Sequence, residues 1–135
     1  MNLLSTCVLG SSSAGNATLV WTAGTAILID CGFTPGYITV QLRKLGMSIS
    51  DLDAVFITHV HGDHVNESTL GKLFREHVPI YCPAEIAAPL KKKYHSAATA
   101  SRHGLLKPIL ESEISLDHLM IRSFEVPHDS EGGCF

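Results

Sequence analysis

The first thirty residues carry two short apolar stretches, Ala17 to Thr22 and Thr25 to Asp30, separated by Ala23-Gly24. Blocks of this length bounded by a small turn dipeptide predict two strands closed into a hairpin. Leu3 to Leu9 supplies a third strand beside them. The pattern then changes period. Thr34-Pro35 has the form of a helix start, Ile38, Leu42 and Leu45 recur at i, i+4 and i+7, and Gly46 stops the repeat, so a helix is expected to lie on the sheet by that stripe.

Asp53 to Thr58 predicts the next strand, and Asn66 is a good N-cap for a helix with Leu70, Leu73, Phe74 and His77 on one face. Pro79 to Cys82 reads as a short strand. Pro83 can open a helix, which Pro89 is expected to break or kink after about one turn. Tyr94 to Glu113 is poorly periodic and is expected to be loop with at most a short helix. Ile114 to Leu116 and Leu119 to Val126 alternate apolar and polar residues around Asp117-His118, the pattern of a hairpin. Strands alternating with helices, without repeat, low-complexity tract or linker, predict one α/β domain.

Composition narrows the class. The 135 residues are 45% hydrophobic and 17% charged, enough apolar surface for a packed domain and too much for a disordered chain. The net charge of −3 provides no global attraction to nucleic acid or anionic membrane, so any polyanion must be held locally. No stretch approaches the roughly 18 apolar residues of a membrane span, and Met1 to Leu9 lacks the form of a signal peptide; a cytoplasmic protein without membrane partners is expected. Cys7, Cys31, Cys82 and Cys134 are widely spaced among small or apolar neighbours, the setting of buried free thiols.

The densest chemistry lies in His59-Val60-His61-Gly62-Asp63-His64, three imidazoles and a carboxylate within six residues at the end of a strand. Residues two apart in an extended or turning segment face the same way, so His59 and His61 can address one ion while Asp63 and His64 reach a second. Imidazole suits zinc, and the carboxylate supplies charge for a neighbouring divalent ion. His128 stands alone at a strand end, where a histidine is more often a surface or capping residue.

Thr58-His59-Val60-His61-Gly62-Asp63-His64 resembles the His-x-His-x-Asp-His motif of the metallo-β-lactamase-fold hydrolases. Leu28-Ile29-Asp30-Cys31-Gly32 is similar to the preceding aspartate motif, and Val126-Pro127-His128-Asp129 falls where the next family histidine is expected. The resemblance implies that His59, His61 and His128 bind a first metal and Asp63 and His64 a second, with Asp30 orienting the ligand loop without touching an ion. It implies two Zn2+ or Mn2+ ions in the complete parent enzyme, about 3.5 to 4 Å apart, hydrolysing substrate through a metal-activated hydroxide. Asp63 would then also accept a proton from the attacking water.

Gly10-Ser11-Ser12-Ser13-Ala14-Gly15-Asn16 resembles the Ser-Ser-Gly-Asn loop of a bacterial branch containing predicted exonucleases and phosphodiesterases. Such a loop offers hydroxyls and amides to a phosphate, making Ser11, Ser12, Ser13 and Asn16 candidate phosphate contacts, and it is equally an ordinary turn between strands. A phosphodiester substrate, DNA or RNA, is therefore the favoured expectation. A thioesterase or lactamase-like acyl hydrolase of the same fold, or a non-catalytic metal-binding fragment or interaction module, are the alternatives. Lys91 to Lys93, Arg102, His103 and Lys107 are read as solvated charges before nucleic-acid contacts, and His77, His95, His103 and His118 lack metal spacing.

The family fold is a four-layer αββα sandwich of two similar halves. Residues 1–135 are expected to form the first half and the start of the second, a domain truncated at its C-terminus, with Asp129 not assigned the family's bridging role because adjacent strand residues face opposite ways. An exposed half-core would then permit self-association.

Overall fold

The computed structural model describes residues 3–111, 113–127, 133 and 135. Six strands form one sheet in sequence order: β1 (Ser5–Ser12), β2 (Gly15–Trp21), β3 (Ala26–Ile29), β4 (Ala54–Phe56), β5 (Ile80–Pro83) and β6 (Leu106–Ile109). The first three run antiparallel through tight hairpins, and β3 to β6 run parallel. Parallel neighbours need crossovers. These are supplied by α1 (Pro35–Arg43), α2 (Glu67–Arg75), and the pair α3 (Ala84–Lys93) and α4 (His95–Arg102).

Strand alternation divides the apolar residues between two faces. Leu19, Leu28, Val55, Ile80 and Leu106 enter the main core, which the helices complete with Ile38, Leu42, Leu70, Leu73, Ile86 and Leu90. Ile27, Ala54 and Phe56 point to the other face, where a second antiparallel hairpin, β7 (Glu113–Leu116) and β8 (Leu119–Arg122), packs through Leu119, Ile114, Leu116 and Ile121. Helices thus cover one face of the large sheet, and the β7–β8 hairpin packs on the other. Phe135 returns to the end of β4, its amide donating to the Thr58 carbonyl at 3.0 Å.

The helix starts follow their caps. Thr34 and Asn66 accept from the amides of Tyr37 and Thr69, three residues on. Several expectations require correction. Leu45 lies past the end of α1 and is 37% exposed, so the buried stripe is Ile38 and Leu42; His77 likewise falls beyond α2 with a positive φ and is exposed. Pro89 does not break α3. Its missing amide deprives only the Glu85 carbonyl, on an exposed residue, while Ile86, Ala87 and Leu90 on the opposite face are buried; packing therefore outweighs a single lost hydrogen bond. The segment expected to be loop with a short helix contains such a helix, α4, and also an unexpected strand, β6. Pro108 masks β6 as a strand, and it is tolerated because β6 is the edge of the sheet.

Phe33, just before α1, explains two of the hairpin glycines. A Cβ at Gly10 or Gly15 would fall 2.3 or 2.4 Å from its ring. The ring also stacks on Tyr37 at a centroid distance of 4.2 Å, pinning the β1–β2 hairpin over the entrance to α1.

Candidate metal centre

The histidine segment leaves β4 at its C-terminal end and is held almost carbonyl by carbonyl. Val60 O accepts from Lys93 Nζ at 3.2 Å and Val65 O from the Tyr94 hydroxyl at 3.4 Å. His61 O accepts from the amides of His64 and Val65, and His64 O from the amide of Cys31. Asp63 O accepts from Asn16 Nδ2 at 3.2 Å. A loop whose carbonyls are bonded in this way costs little to reorganise when a ligand binds.

Asp30 organises the ring nitrogens. It is 5% exposed and sits at φ 63°, a conformation tolerated best by Gly, Asn and Asp. Oδ1 accepts from the Thr58 amide at 2.8 Å; Oδ2 accepts from Thr58 Oγ1 and from His64 Nδ1, both at 2.7 Å. The Thr58 hydrogen is committed to Asp30, so Thr58 Oγ1 must accept from His59 Nδ1 across their 2.9 Å contact. Both neutral imidazoles, His59 and His64, therefore carry their hydrogen on Nδ1, which makes Nε2 of each the acceptor nitrogen. Thr58 thus joins Asp30 to His59, a link whose only signal in the sequence is a hydroxyl immediately before the first histidine.

Asp30, His59 and His64 offer donor atoms within 4.8 Å of one another, but an ion among all three would have to displace these hydrogen bonds. The opposite ring edges fit better. His64 Nε2 lies 3.5 Å from Asp63 Oδ2, close to the roughly 3.3 to 3.4 Å that separates two donors on a tetrahedral ion with bonds of about 2.0 to 2.1 Å. The His59 ring stands 3.8 Å from that of His64 and 5.0 Å from that of His61. His59, His61, Asp63 and His64 are thus gathered around one place with Asp30 behind them. His128 lies outside the described residues.

Burial alone would lower the pKa of His64, but its hydrogen bond to Asp30 and the charges of Asp30 and Asp63 outweigh that and raise it above 6.5. A pKa raised by folding stabilises the metal-free protein fully at pH below 6.5, and this contribution is lost as pH rises through the folded value. The stability margin of the metal-free chain over a His64→Gln variant should therefore be largest below pH 6.5 and shrink as pH is raised above it in urea titrations; a margin constant or growing with pH would contradict it. Cys31 is a buried thiol beside Asp30. Its burial, then the charge of Asp30, push its thiol up to about 12.

Ser11 and Ser12 end β1, Ser13 and Ala14 form the hairpin turn, and Asn16 lies in β2 opposite Ser11. The three serines are exposed, and the Ser12 hydroxyl accepts from the Ala14 amide at 3.1 Å. Lys91, Lys92 and Lys93 end α3 as exposed residues, with the Lys93 ammonium at the Val60 carbonyl. A groove of about 270 Å³ runs from Thr58 between the sheet and β8, lined by Ile29, Phe56, Ile121, Phe124 and Phe135. Among the described residues no helix is long and apolar enough to cross a membrane.

An α/β sheet that delivers a His-x-His-x-Asp-His loop from the end of a parallel strand, with a buried aspartate behind it, defines a metal-dependent hydrolase fold. The chain belongs to the metallo-β-lactamase superfamily, whose family model matches residues 12–133. It is 28% identical to the exodeoxyribonuclease WalJ of Streptococcus pneumoniae over 125 residues, 91% of this chain and 45% of that protein. Over 50 residues, 37% of this chain and 19% of the relative, it is 44% identical to the anti-Pycsar protein Apyc1 of a Paenibacillus species. Among solved structures, the subclass B3 metallo-β-lactamase BJP-1 of Bradyrhizobium japonicum superposes with a TM-score of 0.71 at 18% identity, covering 94% of this chain and 51% of the enzyme. The chain therefore spans about half or less of the length of each. Membership of the superfamily implies divalent metal binding.

Proposed function

We propose that this chain carries the N-terminal ligand set of a metal-dependent phosphodiesterase or nuclease acting on DNA or RNA. The observation that supports it most directly is the hydrogen-bond path from Asp30 through Thr58 and His64, which turns the Nε2 atoms of His59 and His64 into ligand atoms and sets His64 Nε2 3.5 Å from Asp63 Oδ2. His59, His61 and His128 would hold one divalent ion, and Asp63 and His64 a second, zinc or manganese. Bound there, such ions supply charge neutralisation for a phosphodiester and a lowered pKa for water. Asp30 keeps both imidazoles in the tautomer that binds, and the Asp63 carboxylate is placed to take a proton from the attacking water. Ser11, Ser12 and Ser13, exposed on the hairpin beside this loop, would contact the phosphate.

The nuclease reading is favoured over acyl hydrolysis by sequence: a relative that matches 91% of the chain is an exodeoxyribonuclease, whereas the lactamase likeness at 18% identity concerns the fold. The test uses the chain joined to the C-terminal half of the Streptococcus pneumoniae exodeoxyribonuclease that it resembles. With manganese or zinc, cleavage of single- and double-stranded DNA is expected, falling at least about 100-fold in His61→Ala. Hydrolysis of a thioester or β-lactam without nucleic-acid cleavage would replace this reading with the acyl one, and metal binding without either activity would make the chain a binding module.

A further inference from the structure

The Gly/Ser hairpin has one member that turns away from solvent toward the metal loop. Asn16 Nδ2 donates to Ser12 O at 2.9 Å, to Asp63 O at 3.2 Å and to Asp63 Oδ2 at 3.2 Å. All three partners are acceptors when Asp63 is ionised, so the amide nitrogen and not the oxygen must face them. With two hydrogens for three acceptors, one closes the hairpin and the other is shared between the two oxygens of Asp63. The backbone takes part as well: Asn16 O accepts from the Gly32 amide at 3.0 Å, and Gly32 lies directly against the Asp63 carbonyl.

We infer that Asn16 is a positioning residue for Asp63: its amide orients the Asp63 carboxylate toward His64 Nε2 and so sets the second ion's ligand pair, and it is not a contact to substrate phosphate. This rests on the proposed role of Asp63 and His64 as ligands. A carboxylate on a loop has two free torsions, and a ligand pair is as good as its most mobile member. Of the groups that touch Asp63 Oδ2, Asn16 comes from a different element, 47 residues away, so it restrains the carboxylate independently of the loop's own conformation. The same contact gives a reason for an asparagine at this point of a hairpin that is otherwise glycine, serine and alanine.

The test is a cobalt(II) titration of the whole chain followed by visible absorption, with Asp63→Asn used to assign which binding step involves Asp63. Asn16→Ala is expected to weaken that step by about 10- to 100-fold while the other step stays within about twofold of wild type. A role limited to closing the hairpin predicts something else: a lower melting temperature with both steps weakened together or neither changed, and that result overturns the inference. If Asn16→Ala does not fold, Asn16→Asp is titrated instead. It keeps the volume and turn preference but puts an acceptor against the Asp63 carboxylate, so the same selective loss is expected. A wild-type chain with no step sensitive to Asp63→Asn would overturn the ligand reading itself, an outcome distinct from an Asp63-dependent step that Asn16→Ala leaves intact.

Discussion

Gly32→Ala is expected to cost about 3 kcal/mol or more of folding stability, at or beyond the upper end of the usual penalty for overpacking. A Cβ at this position would stand 1.9 Å from the Asp63 carbonyl oxygen, 2.4 Å from its carbon and 2.9 Å from the His64 amide nitrogen. All three are backbone atoms, so no side-chain rotation relieves the clash. Either β3's exit or the metal loop must move: either movement strains the Cys31 N to His64 O hydrogen bond, and moving β3's exit strains the Gly32 N to Asn16 O bond as well. Urea unfolding would register the loss, and metal titration should show weakened binding even where the variant remains folded. Gly36→Ala is the control: nothing lies within 4 Å of its added Cβ and its helical position favours alanine, so it should be neutral or stabilise by up to about 1 kcal/mol. Equal behaviour of the two variants would remove close approach as the reason for Gly32.

Replacing Asp30 is expected to disable the site by two separable routes. Asp30→Ala strands three donors, the Thr58 amide, the Thr58 hydroxyl and His64 Nδ1, and puts an alanine at φ 63°; about 3 to 5 kcal/mol should be lost. Asp30→Asn tolerates that backbone and keeps the oxygen that accepts from the Thr58 amide. Its NH2 group, however, replaces Oδ2. His64 would satisfy the new donor by moving its hydrogen to Nε2, the atom that faces Asp63. The asparagine variant should therefore lose only about 1 to 3 kcal/mol yet bind metal about 10- to 100-fold more weakly. Unfolding curves and metal titrations on the two variants separate the routes. An Asp30→Asn protein with wild-type metal affinity would show that the tautomer of His64 is not set by Asp30.

Much of the fold was legible because its elements are locally coded. The hairpin at Ala23-Gly24, the caps at Thr34 and Asn66 and the turn at Asp117-His118 each depend on a few adjacent residues, and each occurs where those residues stand. The misses share a cause. Leu45, Pro89 and β6 are positions where burial or its absence overrides local preference: Leu45 has no neighbouring surface to cover it, α3 passes through Pro89 because its opposite face is packed, and Leu106 to Ile109 pair as an edge where a proline is tolerated. None of these conditions is visible in a window of ten residues.

The same division runs through the site. The amino-acid sequence alone determines the α/β order of elements, the delivery of three imidazoles and a carboxylate at the end of β4, and the family to which they belong, since spacing along a strand and loop dictates which ligands can face together. Tertiary structure decides what those groups are able to do. Asp30 meets His64 across 34 residues, and Asn16 meets Asp63 across 47. These contacts exist because β1 to β4 lie side by side and bring the exits of β3 and β4 and the β1–β2 hairpin to one end of the sheet. Hydrogen-bond direction, and with it the nitrogen each histidine offers, is a property of that meeting point and of no single stretch of chain.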